Sequence, residues 1–184
     1  MTGTIDLAQL GEALRRLASE LEREGVVGDV YIFGGAAMVL AYKAREATRD
    51  VDALFEPREK VHRAAIRVAE AMDLPPWWLN DQATSYLPRG THEGAVSVFD
   101  HPNLRVSAAS AEHLMAMKAL AARTYADLDD IALLLRELEL TEVAQVEALC
   151  LRIFPDEPLS ERARLVVEDV LVQERRRQGE DPRS

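Results

Sequence analysis

The segment Asp50–Phe55, DVDALF, sets two carboxylates one residue apart in a run of apolar residues that reads as a strand ended by Pro57. In a strand, residues i and i+2 point to the same face, about 6.6 Å apart along the chain. Val51, Leu54 and Phe55 call for burial, so Asp50 and Asp52 must stand at the margin of a core. Two carboxylates at about 4 Å repel by about 1 kcal/mol in water and about 4 kcal/mol where the effective dielectric is intermediate. They must share a proton, separate into solvent, or bind a cation. Oxygen-only donors favour Mg²⁺ or Mn²⁺ over zinc. A solvent-facing pair at a strand end satisfies the same residues.

Upstream, DVYIF is a short β-branched and aromatic run. Gly34-Gly35 follows it directly and precedes Ala36–Ala47, where strong helix formers predominate. Glycine at such a junction permits positive φ and close backbone approach to a ligand. Free amides at a helix start suit a phosphate. A plain tight turn accounts for the pair equally well.

Around these segments the chain reads as α+β. Leu7, Leu10, Leu14, Leu17 and Leu21 recur at helical spacing, and Gly25 and Gly28 close that helix. A polar-faced helix is expected from about Glu59 to Met72, and LPPWWLND breaks the pattern with paired prolines. GAVSVF and NLRVSA read as a hairpin turning at Asp100, His101 and Pro102. From Ser110 onward everything reads as helix: 110–123, 127–138, 141–153 and 157–178, with a frayed tail GEDPRS. The expected architecture is a small mixed sheet with flanking helices over residues 1–109, followed by a helical carboxyl half, 110–184, packed on that core.

The 184 residues suffice for one ordinary core with a helical appendage. An apolar share of 48% beside 29% charged residues fits a folded soluble domain, and no run approaches the roughly 20 apolar residues of a membrane span. The amino terminus reads as the start of a helix, without a signal-peptide hydrophobic region. A lone Cys150 cannot pair internally, which points to the reducing cytoplasm. His62, His92, His101 and His113 lack the close spacing of a structural zinc site. A net charge of −10 argues against sequence-blind nucleic-acid binding. A local basic stretch remains: Lys43, Arg45, Arg49, Arg58, Lys60, Arg63 and Arg67, read either as solvated helix surface or as a binding patch.

Lys118 is the single charge in LMAMKALAA. Its helical neighbours are apolar, so its ammonium either snorkels to water or finds a partner. Asp127, Asp129 and Asp130 open the next helix. Asp127 reads as an N-cap with Asp130 in the first turn, where negative charge suits the macrodipole. Asp130 also lies on the inward face marked by Ile131, Leu134 and Leu135, from which it could meet Lys118 across the helix pair. Trp77 and Trp78 read as packing residues before base-stacking platforms.

Gly-Gly after a strand, a helix, then Asp-x-Asp on the next strand resembles the signature of the nucleotidyltransferase superfamily with the DNA polymerase beta-type fold. More narrowly, Glu112-His113-Leu114 with AMKALAAR and DLDDI, together with WWLND, is similar to the AbiEii/MenT-like branch that includes toxins of toxin–antitoxin systems. The resemblance runs from about Tyr31 to Leu138. It implies a minimal nucleotidyltransferase fold and transfer of a nucleotide from an NTP, with Mg²⁺ (or Mn²⁺) on Asp50 and Asp52. Gly34, Gly35, Thr48 and Arg49 would meet the triphosphate, Lys118 the phosphates, and Asp130 would be the late acidic residue. The implied acceptor is an RNA end, tRNA foremost, and the implied role a cytoplasmic toxin held by an antitoxin. Two alternatives stand beside it: a small-molecule or protein hydroxyl as acceptor, and a nucleotide-binding scaffold without catalysis. NLRVSA, carrying Arg105 and no acid, and Asp100, loosely placed, bear on the second.

Overall fold

The computed structural model describes residues 4–82, 93–121, 127–177 and 179. His92, Arg123 and the tail other than Gly179 lie outside the described residues. The fold is α+β, and the chain divides into two compact units, Met1–Ala109 and Ser110–Ser184.

In the first unit β1 (Ile5–Asp6) leads into α1 (Leu7–Arg23), then β2 (Gly28–Ile32), α2 (Gly34–Leu40), β3 (Ala47–Thr48) and β4 (Val51–Glu56). There follow α3 (Arg58–Met72), β5 (Leu79–Asn80), β6 (Val96–His101) and β7 (Leu104–Ala108). The main sheet has the order β5-β4-β2-β7-β6, and β1 pairs with β3 in a separate two-stranded ribbon. β2 is antiparallel to β4 and parallel to β7, β5 is parallel to β4, and β6–β7 is the expected hairpin.

Alternation along the strands decides what each face meets. Val30, Ile32, Val51, Ala53 and Phe55 are buried, whereas Asp29, Leu54 and Glu56 at the intervening positions are exposed. The buried face is covered by α1 and α3, whose Leu21 and Val61 reach Gly28 on β2. α1 begins with a capping box: Gln9 N–H donates to Asp6 at 2.8 Å and Asp6 N–H to the Gln9 side chain at 3.1 Å. Leu10, Leu14, Leu17 and Leu21 are buried as their spacing requires, but Leu7, in the first turn, is exposed.

α2 is shorter than its composition suggests. It ends at Leu40, where helix formers continue to Ala47. Lys43 takes a left-handed conformation (φ 50°) and Ala44 N–H reaches back to Met38 O. The next residues then pair with β1, Ile5 opposite Thr48. Tertiary pairing overrides intrinsic propensity here.

The second unit contains α4 (Ala111–Ala121), α5 (Leu128–Glu137), α6 (Val143–Ile153) and α7 (Glu161–Arg177). α4 packs against the other three, and its Leu114, Met115 and Ala119 are buried. α6 starts after Thr141 because Glu142 and Gln145 form a capping box. α7 starts later than Glu157 because Ser160 Oγ accepts from Ala163 N–H at 3.2 Å, two residues beyond Pro158. Among the described residues no helix is long and apolar enough to cross a membrane.

Candidate functional site

Asp50 immediately precedes β4 and Asp52 is its second residue. Both are partly buried. Their backbones are pinned from two sides. The Thr48 hydroxyl donates to Asp50 O at 3.0 Å, and Phe33 N–H donates to Asp52 O at 3.0 Å. Between them Val51 N–H donates to Trp78 O at 2.6 Å, docking β5 alongside. Trp78 itself is wholly buried, its indole N–H given to Ala65 O at 2.9 Å. Trp77 is 59% exposed, so the two tryptophans part company: one packs the core and the other faces water.

The Gly34-Gly35 turn lies against the acidic pair. Gly34 has φ +65°, and a Cβ there would stand 3.4 Å from Asp52 Oδ2. A Cβ on Gly35 would stand 2.9 Å from Thr48 Oγ1, closer than side chains tolerate. Thr48 is buried, and its hydroxyl proton is spent on the Asp50 carbonyl; Arg49 is exposed.

The register of β4 with β5 places Asn80 beside Asp52. Asn80 is only 7% exposed, and its amide donates from Nδ2 to Asp50 Oδ2 at 3.3 Å. Burial, and then repulsion from Asp50, push the Asp52 carboxyl above its ordinary range, while hydrogen bonding from Asn80 partly offsets the rise. Among the described residues no lysine or arginine pairs with either carboxylate. Nor do three His, Cys, Asp or Glu side chains there gather closely enough to hold a metal by themselves. Two carboxylates without a cationic partner fit Mg²⁺, which is bound through one or two carboxylates, with water and substrate phosphates completing its shell. They do not fit a closed protein cage. β6, with Asp100, is three strands removed from β4, and β7 carries Arg105 paired in a bidentate fashion with Asp29 at 2.7 and 2.9 Å. Neither brings a third acid to the pair.

In the helical unit Lys118 does find its partner, and finds two. Its ammonium lies 2.7 Å from Asp127 Oδ1 and 2.9 Å from Asp130 Oδ2. Lys118 is 14% and Asp130 1% exposed, so the contact is a buried ion pair and not a snorkelling cation. Asp127 makes no side-chain cap, because its carboxylate is turned to Lys118.

Two further sequence readings resolve. The basic residues of α3 are engaged: Arg67 binds Glu20 at 2.6 Å and Glu24 at 2.5 Å, Lys60 and Arg63 lie 3.8 and 3.9 Å from Glu24, and Arg58 pairs with Asp81. Arg67, Lys60 and Arg63 face acids at the end of α1, and Arg58 faces Asp81 beyond β5, so each has an intramolecular acid beside it. Cys150 is buried, its thiol pushed up to about 11 by desolvation and Glu147, which makes it a poor nucleophile.

Asn80 is the residue that sequence reasoning missed. WWLND stood out as a motif, but a two-residue strand leaves no periodic trace. The available signal was an asparagine behind an apolar run, since a buried amide must have partners. No family model, curated protein or solved structure matches the chain.

Proposed function

We propose that the protein is a metal-dependent nucleotidyltransferase that moves a nucleotide from an NTP to an acceptor hydroxyl. One observation carries the reading: Asp50 and Asp52 share a partly buried setting with no cationic side chain among the described residues to neutralise them, directly beside a glycine turn. The resemblance of the Gly-Gly, Asp-x-Asp and Lys118–Asp130 segments to the nucleotidyltransferase superfamily, and to its AbiEii/MenT-like branch, supports it. Asp50 and Asp52 would hold Mg²⁺ (or Mn²⁺), which when bound offsets the charge developing on the transferring phosphate. The rest of the task is positioning. The Gly34-Gly35 turn leaves room beside the acids; in the helical unit Lys118, held by Asp127 and Asp130, matches the lysine that the resemblance assigns to the phosphates.

The acceptor we favour is an RNA end such as that of tRNA, in the role of a toxin restrained by an antitoxin. The engagement of the α3 cations with Glu20 and Glu24 favours a second reading of the acceptor, a small-molecule or protein hydroxyl. The lack of an acid on the exposed positions of β7 favours a third, nucleotide binding without turnover. Incubating the protein with Mg²⁺, each labelled NTP, and either total tRNA or a protein extract separates these. Label on tRNA supports the first, label elsewhere the second. Binding without transfer, with Asp52→Asn indistinguishable from wild type, leaves the third.

A further inference from the structure

Asn80 stands where the amide can do one of two things for a cation: lend its carbonyl as a ligand, or lend its N–H group to the carboxylates that are the ligands. The orientation is fixed by the chain around it. Gln82 N–H donates to Asn80 Oδ1 at 3.1 Å, and a backbone N–H cannot accept, so that contact demands the oxygen. The amide nitrogen is thereby left facing Asp50 Oδ2 at 3.3 Å, with Trp77 O at 3.5 Å. The register of β5 with β4 sets Asn80 opposite Asp52, so the residue whose amide reaches Asp50 also neighbours the second acid. Asn80 is more than nine-tenths buried and on a strand bound to β4, so its amide is held and cannot turn away cheaply.

We propose that Asn80 is a positioning residue of the acidic pair. From β5, on the side of β4 away from β2 and β7, it supplies a hydrogen-bond donor to the pair. The two acids are held side by side without a metal, and the site accepts one divalent cation and not two. This rests on the metal-site reading above. The argument is one of charge: two carboxylates opposed by an N–H group suit a single doubly charged ion, whereas a second ion needs another anionic donor, and the described residues offer none there. Partners that orient metal ligands are worth roughly 10- to 100-fold in affinity when removed.

The test is Mn²⁺ binding to the full chain without nucleotide, read by electron paramagnetic resonance and calorimetry, with circular dichroism as the check on folding. Wild type is expected to take up one Mn²⁺. Asn80→Ala should bind at least about tenfold more weakly. Asn80→Asp, which turns a carboxylate toward the pair, should bind as tightly as wild type or take up a second ion. The opposite responses distinguish a donor from a packing residue, for which both variants would weaken together or neither would change. Unchanged affinity in Asn80→Ala, weakening in Asn80→Asp, or two ions on wild type overturns the inference while leaving the metal site intact. A wild-type chain that binds no Mn²⁺ overturns the underlying reading and this inference with it. If Asn80→Ala does not fold, uptake of a second Mn²⁺ by Asn80→Asp supports the inference and a single ion at wild-type affinity or weaker overturns it.

Discussion

Asp52 works against the fold that carries it. Its carboxyl is raised by burial and by Asp50, so the folded chain holds that proton more tightly than the unfolded chain does. The stability this provides is complete below the ordinary carboxylate range, near pH 4, and is lost as pH rises through the raised folded value. Ionising Asp52 therefore works against the metal-free fold. Replacing Asp52 with asparagine should stabilise the metal-free chain by about 1 kcal/mol at neutral pH, with the gain shrinking as the solution is acidified toward pH 4. Denaturant midpoints of the two proteins across that range measure it. A variant less stable than wild type at neutral pH would show that the carboxylate has a compensating partner. The same substitution should abolish nucleotide transfer, so stability and activity move in opposite directions.

At the scale of single elements, the turn between β2 and α2 and the α4–α5 pair make separate demands. A methyl on Gly35 must displace Thr48, which is buried and bonded to Asp50 O. Gly35→Ala should cost about 1–3 kcal/mol, and less in a Thr48→Ala background where Oγ1 is gone; equal costs in both backgrounds would place the strain elsewhere. In the helical unit Lys118→Met removes the ammonium that contacts both Asp127 and Asp130, the latter only 1% exposed, for an expected loss of about 3 kcal/mol in urea unfolding. A loss within about 0.5 kcal/mol, as at an ordinary surface site, would mean that the pair is solvated. Most elements were legible from periodicity because leucine spacing and strand alternation report burial directly, as in α1 and β4. The misses share a cause. α2 was read too long because propensity ignores the pairing of Thr48 with Ile5. Asp127 was read as a cap because a helix-start aspartate looks the same in sequence whether it faces its own amides or a lysine nine residues away. The place of Asn80 beside Asp52 depends on β5 lying alongside β4, which a two-residue strand does not announce in sequence.

At the scale of the whole chain, a net charge of −10 means that added salt screens self-repulsion whatever its cation, and that effect must be separated from cation binding at one place. Binding to the folded state alone adds RT ln(1 + [L]/Kd), about 2.7 kcal/mol when the ligand is at 100 times its dissociation constant. MgCl₂ should therefore raise the unfolding temperature of wild type above that seen in NaCl of equal ionic strength. The excess should vanish in Asp52→Asn, which keeps almost the whole of the chain's negative charge but loses one of the two donors. Screening depends on total charge and binding on Asp50 and Asp52, so the two contributions separate cleanly in this comparison. An equal response of both proteins to Mg²⁺ would assign the whole effect to screening and leave the acidic pair without its cation. A response confined to wild type would place the ion at the pair before any nucleotide or acceptor is added.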